Sequence, residues 1–387
     1  MANPIQNKQI AIVGGGPGGL TLARLLQMKG ADVKVYERDA NRDVRVQGAT
    51  LDLHYDSGLK ALTAAGLMDA FKANYRPGAD KMRVTNKNAE VLFEDNFETG
   101  GDNGLARPEI DRGPLRDILL DSLQSGTVVW DSNFVSMTAA NDGFSIQFKN
   151  NAPVYADIVI GADGANSRVR PYLTPVKAFY AGVTAMEGAV YHSKETVPHI
   201  HHLLQGGKIF ALGDEKCLFV SSKGDGSLAF YTSCKTPETW LGNSAIDFSD
   251  KAQILAWFKQ EFSGWDTIWN ELFENVNGGL VPRPQYCMPF DQLWEALPNL
   301  TLLGDAAHLM PSYAGEGVNM AMLDALELAE CLLSSAFADV QSAIAAYEKA
   351  MRSRASAVAK MTMEQTAILH SPEGLNHLLA MFKIDEP

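Results

Sequence analysis

A short apolar run that halts at a cluster of glycines leaves a chain few ways to fold, and this sequence does it twice. Ile10-Ala11-Ile12-Val13 runs into Gly14-Gly15-Gly16-Pro17-Gly18-Gly19, after which Leu20 to Gln27 carries apolar residues at helical spacing. Far along the chain, Leu300-Thr301-Leu302-Leu303 runs into Gly304-Asp305-Ala306-Ala307-His308, and Gly315-Glu316-Gly317-Val318-Asn319 opens another helical stretch. Brief, nearly continuous apolar runs bounded by glycine read as strands buried on both faces, the pattern of a parallel sheet covered by helices. With the next run, Val33-Lys34-Val35-Tyr36-Glu37, the first segment completes a βαβ unit.

The spacing Gly14-x-Gly16-x-x-Gly19 takes its meaning from that context. The first glycine permits a tight turn, the second lets a pyrophosphate approach the backbone, and the third lets helix lie close on strand. Free N–H groups at the helix start then face the phosphates. Glu37, at the end of the second strand, is placed to accept from a ribose hydroxyl, and a carboxylate there disfavours a phosphorylated ribose. Arg38 reads either as a partner for adenine or phosphate or as a solvated arginine. Asp305 can accept from sugar-alcohol hydroxyls, and equally reads as a helix N-cap. N–H groups at Gly315 to Asn319 can stabilise negative charge, or can simply begin a helix. Two half-sites at opposite ends of the chain suit one long dinucleotide, FAD rather than NAD.

The chain has 387 residues, enough for one large domain or two intimate ones, and 46% of them are apolar. A net charge of −13 argues against a nucleic-acid partner. Cys217, Cys234, Cys287 and Cys331 show no C-x-x-C spacing, so free buried thiols and no metal site are expected. His199, His201 and His202 read as loop histidines, and the motif residue His308 as more structural than catalytic. Residues 1–8 have no apolar signal core, and no uninterrupted apolar stretch approaches the roughly 18 residues that span a bilayer. A cytoplasmic protein without membrane contact is the expectation.

Between the glycine segments, residues 56–73 have a helical pattern broken at Gly66, and 82–94 alternate like strands. The Gly/Asn/Asp-rich residues 99–104 read as a turn or loop. Residues 112–125 predict an amphipathic helix with Leu115, Ile118, Leu119 and Leu123 on one face. Residues 157–164 predict a buried strand entering the tight turn Gly161-Ala162-Asp163-Gly164. From about 180 to 285 short β patterns dominate, at 208–212, 217–222 and 228–233, with Lys223-Gly224-Asp225-Gly226 joining the last two as a hairpin. That stretch reads as an inserted sheet domain. Helical patterns return at 318–333 and over much of 340–369, and Pro372 separates a last helix at 375–382.

Three motifs in this order, GGGPGG at 14–19, GADG at 161–164 and the Gly304-Asp305 pair, resemble the class A flavin-dependent monooxygenases, the aromatic hydroxylase family. Most of the chain is similar to the tetracycline-inactivating members of that family. The matching stretches are VYERD at 35–39, ATLDLH at 49–54, EIDRGPLRDILLDSL at 109–123, KTPETW at 235–240, EFSGWD at 261–266 and LLGDAAHLMP at 302–311. The resemblance implies an α/β fold: an FAD-binding Rossmann-like domain of the glutathione-reductase type, an inserted mainly-β substrate domain, and a C-terminal bridging helix. The implied divisions are 1–74, 109–178 and 286–335 for FAD, 75–108 and 179–285 for substrate, and 336–387 for the bridge.

The same resemblance implies that FAD is held by Gly14, Gly16, Pro17, Gly19, Glu37, Arg38, Asp52, Arg112, Asp305, Gly315, Gly317 and Val318. Arg45 would serve the nicotinamide donor, NADPH or NADH, and substrate would meet Glu187, Lys208, Phe219, Pro311 and Gly315. No side chain is assigned a catalytic role, because the flavin carries the chemistry. The implied reaction delivers one atom of O2 to an electron-rich polycyclic or aromatic substrate through a flavin C4a-hydroperoxide, in a monomer, with inactivation of a tetracycline-type antibiotic as the leading expectation. The alternatives are hydroxylation of another phenolic or natural-product substrate, and a flavin-binding protein without tetracycline activity. The substrate positions depart from the family pattern: Glu187 stands for a glutamine, Lys208 for an arginine, Ala229 for a histidine, and Ser312-Tyr313 for a Pro-Phe pair. A carboxylate lacks the amide's two donors and lysine lacks arginine's planar fork. Each such mismatch is worth on the order of 1–3 kcal/mol.

Overall fold

Ile10, Ala11, Ile12 and Val13 are all buried, which only a central strand of a covered sheet allows. The computed structural model describes residues 4–44, 50–95 and 108–384. In it, Gln9–Val13 is the middle strand of a five-stranded parallel sheet. Asp32–Tyr36 and then Val128–Val129 lie on one side, Ile158–Gly161 and then Leu300–Leu302 on the other. Val13 pairs with Gly161, and Gly161 with Leu302. The three glycine-containing loops that follow these strands therefore open at one edge, the carboxyl edge where open parallel sheets bind ligands.

The helix Pro17–Gln27 begins with Gly16 as N-cap and proline in its first turn, where a missing N–H costs nothing. It is buried nearly all round because it lies between the sheet and the helix Gly317–Leu333. Glycine makes this sandwich possible. A Cβ on Gly19 would stand 2.2 Å from the Gly14 carbonyl oxygen, and one on Gly18 would stand 2.7 Å from Leu303 Cδ1 and 2.8 Å from the Ala321 carbonyl oxygen. Gly18 lies outside the three motif positions, yet it sets the approach of the two helices. A Cβ on Gly16, by contrast, meets no protein atom within 4 Å.

The inserted stretch builds a seven-stranded sheet from Met82–Asn86, Val91–Glu94, Phe179–Val190, Lys208–Gly213, Lys216–Ser222, Leu228–Lys235 and Val281–Cys287. One face is covered by helices for which the sequence reading made no provision, Pro198–Leu204, Lys251–Glu261 and Asn270–Glu274, through a core that includes Val220, Phe230, Phe258, Trp269 and Phe273. His199, His201 and His202, expected in a loop, lie on the first of these helices, which starts at Pro198. There His199 bonds Glu271, and His201 Nδ1 lies 2.9 Å from Ser193 Oγ. The other face looks toward the loop that precedes Gly317.

The helix Val340–Leu369 joins the two sheets. Its start is fixed by a capping box between Asp339 and Ser342. Tyr347 donates to the Leu302 carbonyl at 3.0 Å, and Glu348 accepts from Thr301 at 2.8 Å. At its far end, Ser233 of the seven-stranded sheet lies 2.8 Å from His370 Nε2, whose Nδ1 faces the Thr366 carbonyl at 2.7 Å. Burial holds the His370 pKa down, which keeps it neutral in that position. The last helix, Gly374–Ile384, adds Leu378 to a small core on the same sheet face. Cys217, Cys234 and Cys287 are free and buried, and burial pushes the Cys217 thiol up to about 12, so it is unreactive. Among the described residues no helix is long and apolar enough to cross a membrane.

His308 sits within this core. Its ring bonds the buried Asp324, which also accepts from the Gly304 amide and from Arg354. Burial alone lowers an imidazole pKa, but the charge of Asp324 and its hydrogen bond outweigh it, so His308 is raised. Asp324 is pushed up by burial and pulled further down by His308 and Arg354, so it is lowered.

Two predictions follow from this arrangement. In the ligand-free protein Gly18→Val should lower the melting temperature by several degrees, whereas Gly16→Val should leave it unchanged; equal losses would contradict the packing described. The His308–Asp324 pair stabilises below the ordinary histidine pKa of about 6.5 and loses its histidine part as pH rises through the raised value; its aspartate part is lost as pH falls through the lowered one. Thermal unfolding across pH should show wild type losing more stability than His308→Asn on the alkaline side, and parallel curves would contradict the pair's role.

Candidate functional site

Where Val13, Gly161 and Leu302 end level with one another, their loops enclose a cleft. Gly14 takes a φ of +114°, which L side chains rarely adopt, and a Cβ there would collide with the Ala162 carbonyl oxygen at 2.2 Å. This close approach binds the first glycine loop to Gly161-Ala162-Asp163-Gly164. Asp163 then turns its loop by accepting from Ser167 Oγ at 2.6 Å and the Arg168 amide at 2.7 Å. Arg170, a residue no motif marked, donates to the Ala306 carbonyl at 2.6 Å and the Asp305 carbonyl at 2.7 Å. A buried arginine thus aligns the second loop with the third.

The first turn of Pro17–Gln27 aims its unpaired N–H groups into this cleft, beside the open space at Gly16. Glu37 is buried, and its carboxylate accepts from the Gly15 amide at 2.6 Å and the Asp39 amide at 3.0 Å. Its first structural role is to hold the glycine loop, and a carboxylate's roughly four acceptor positions allow further partners. Arg38 beside it is exposed. Burial raises the Asp305 carboxyl, and the charges of His308, Arg112 and Arg170 oppose that shift, so Arg112 and Asp305 share one electrostatic environment. These residues, Gly14, Gly16, Pro17, Gly19, Glu37, Arg112 and Asp305, come together from four separate stretches of sequence.

A second group lies at the start of the helix Gly317–Leu333. Gly315 has a φ of +71°, and a Cβ there would lie 3.3 Å from Asp52 Oδ1. Gly317 and Val318 form the first turn. Asn319, fully buried, donates to the Asp52 carbonyl at 2.9 Å and accepts from the His54 amide at 2.9 Å. It joins the helix start to the strand Thr50–Asp52, although the sequence marked it only as part of a glycine motif. His54 stands between two carboxylates, 3.2 Å from Asp52 and 3.6 Å from Glu316. Arg45 lies outside the described residues.

The third group occupies the open face of the seven-stranded sheet. Glu187 accepts from Tyr231 at 3.1 Å and from Arg283 at 2.9 Å. Lys208 pairs with the buried Glu109, whose carboxyl is raised by burial against the pull of that lysine. Phe219 meets Tyr313 ring to ring at 6.2 Å, and Tyr313 meets His370 at 5.0 Å, so the turn after the buried Pro311 is fixed to the sheet. Glu109 opens the stretch 109–123 without being singled out there, and Arg283 belonged to no readable motif; their partners lie on strands far away in sequence.

A family model described as an FAD binding domain matches residues 7–205 and 298–362. Monooxygenase asqM of Emericella nidulans is 30% identical over 94% of this chain and 96% of its own length. Among solved structures, Klebsiella pneumoniae HpxO complexed with FAD and uric acid superposes with a TM-score of 0.77 at 21% identity, over 97% of this chain and 92% of that one. The tetracycline destructase Tet(55) gives 0.72 at 20% identity, over 94% and 89%. The cleft's donors and its open wall at Gly16 fit the cofactor these comparisons name. The chain belongs to the FAD binding domain family, as an FAD-dependent monooxygenase of the aromatic hydroxylase type.

Proposed function

We propose that this protein uses NADPH or NADH and O2 to add one oxygen atom to an electron-rich aromatic or polycyclic molecule, acting as a monomer. The observation that carries the reading is the level register of Val13, Gly161 and Leu302, which gathers the cleft's anion-binding, ribose-binding and ribityl-binding candidates at one edge. In this reading Gly14, Gly16, Pro17 and Gly19 hold the diphosphate, Glu37 and Arg38 the adenosine end, and Arg112 and Asp305 the ribityl chain. Asp52, Gly315, Gly317 and Val318 face the ring, and Arg45 serves the nicotinamide donor.

Bound there, FAD supplies hydride acceptance and oxygen activation. The protein's part is placement and charge. The first turn of Gly317–Leu333 directs unpaired N–H groups at the ring pole, where they stabilise negative charge. Asn319 keeps that turn against Asp52. Residues 1–74, 109–178 and 286–335 would act as the cofactor unit, 75–108 and 179–285 as the substrate unit, and 336–387 as the bridge between them.

The likeness to a tetracycline destructase makes tetracycline a first compound to test. The pairing of Glu187 with Arg283 and of Lys208 with Glu109 favours a second reading, hydroxylation of a different aromatic, since both charged substrate candidates already have protein partners.

FAD-loaded protein should oxidise NADPH or NADH with uptake of O2, faster in the presence of its substrate, and mass spectrometry should show a product one oxygen heavier. Tetracycline gaining one oxygen would support the first substrate reading and unchanged drug the second; flavin without oxygen-dependent turnover on any aromatic would overturn the monooxygenase proposal. Gly16→Val should weaken FAD binding by about tenfold or more, measured by flavin fluorescence quenching, because its side chain enters the cleft; undiminished affinity would place the diphosphate elsewhere.

A further inference from the structure

The registers of the seven-stranded sheet align its open face in rows. One row runs Lys208, Ser221, Ala229, Ala189 across four strands. The next runs Phe210, Phe219, Tyr231, Glu187. The third, Leu212, Cys217, Ser233 and Ala185, is closed over at one end by Leu369, Tyr313 and His370. The first row is thus a shelf of small side chains, the half-buried Ser221 and Ala189 with the buried Ala229 between them, walled on one side by Phe219 and Tyr231. With strands about 4.8 Å apart, two strand spacings make the shelf roughly 10 Å across, and Lys208 stands one spacing further.

Its two charged corners cancel. Lys208 at one end is paired with Glu109, which is 2% exposed, and Glu187 near the other is bonded by Arg283 and Tyr231. Two positive and two negative groups leave no net charge. Between them the shelf offers one hydroxyl, Ser221, and methyl groups. A ligand carboxylate laid there would lose its water and find no unmatched cation among the described residues, a cost that an uncharged ring does not bear. A flat ring also suits a surface that is small-sided below and aromatic at the wall.

Building on the monooxygenase reading above, we infer that the substrate is an uncharged, flat, fused aromatic system of two or three rings, and that the Glu187–Arg283 and Lys208–Glu109 pairs exclude carboxylate-bearing aromatics. Glu187 acts here as a specificity determinant: it neutralises Arg283, whose side chain is 55% exposed and would otherwise attract anions.

The test is calorimetric titration of the FAD-loaded protein at neutral pH with a naphthol and with the hydroxynaphthoate that differs from it by one carboxylate. Naphthol should bind at least about tenfold more tightly. In Glu187→Gln, which retains an acceptor for Tyr231 but leaves Arg283 unneutralised, that preference should shrink by about tenfold as the carboxylate gains a partner. Equal or tighter binding of hydroxynaphthoate by wild type, no measurable binding of naphthol, or an unchanged preference in Glu187→Gln would overturn the inference. A protein that takes up no FAD would instead defeat the monooxygenase reading, and its flavin content is measured before any probe is added.

Discussion

Register across three parallel strands governs this molecule. Val13, Gly161 and Leu302 stand side by side, so loops distant in sequence leave the sheet at one height. Each loop is then held by an interaction that tolerates little change. Gly14 lies against Ala162 closely enough to exclude any Cβ, and Arg170 grips the backbone at Asp305 and Ala306. Shifting one strand by a residue would break these contacts together and reverse every side chain along it. The cleft is therefore a consequence of strand pairing first and of its own residues second.

The second sheet gains its position through the helix Val340–Leu369. By helical rise, thirty residues span roughly 45 Å, enough to run from one sheet to the other. Its near half is bonded to Thr301 and Leu302, and its far end meets Ser233 and Cys217. The loop from Pro311 to Glu316 is held between these anchors, with Tyr313 against Phe219 on one side and Gly315 against Asp52 on the other.

Much of this was legible in the chain where chemistry is local. The βαβ unit, the GADG turn and the Gly304-Asp305 step declared themselves because glycines act through backbone freedom within a few residues. So did the helices at 317–333 and 340–369, whose apolar periodicity is sustained. The helix Lys251–Glu261 was not marked, although Asp250 caps it by accepting from Ala252 and Gln253, a signal present in the sequence. Pro198 likewise starts the helix that carries three histidines expected in a loop. What could not be read was pairing at a distance. Gly18 with Ala321, Arg170 with Asp305, Asn319 with Asp52 and Lys208 with Glu109 each depend on elements brought together by folding. The charge balance of the shelf belongs to this second class, since Glu187 and Lys208 look available in sequence and are paired in space.

Hydrogen–deuterium exchange with and without FAD tests the central claim most directly. A single dinucleotide lying along the carboxyl edge should protect residues 14–19, 304–306 and 315–319 together, at one FAD concentration dependence, and leave the outer helix Lys251–Glu261 unchanged. Protection confined to residues 14–19, or separate concentration dependences for the three segments, would contradict it.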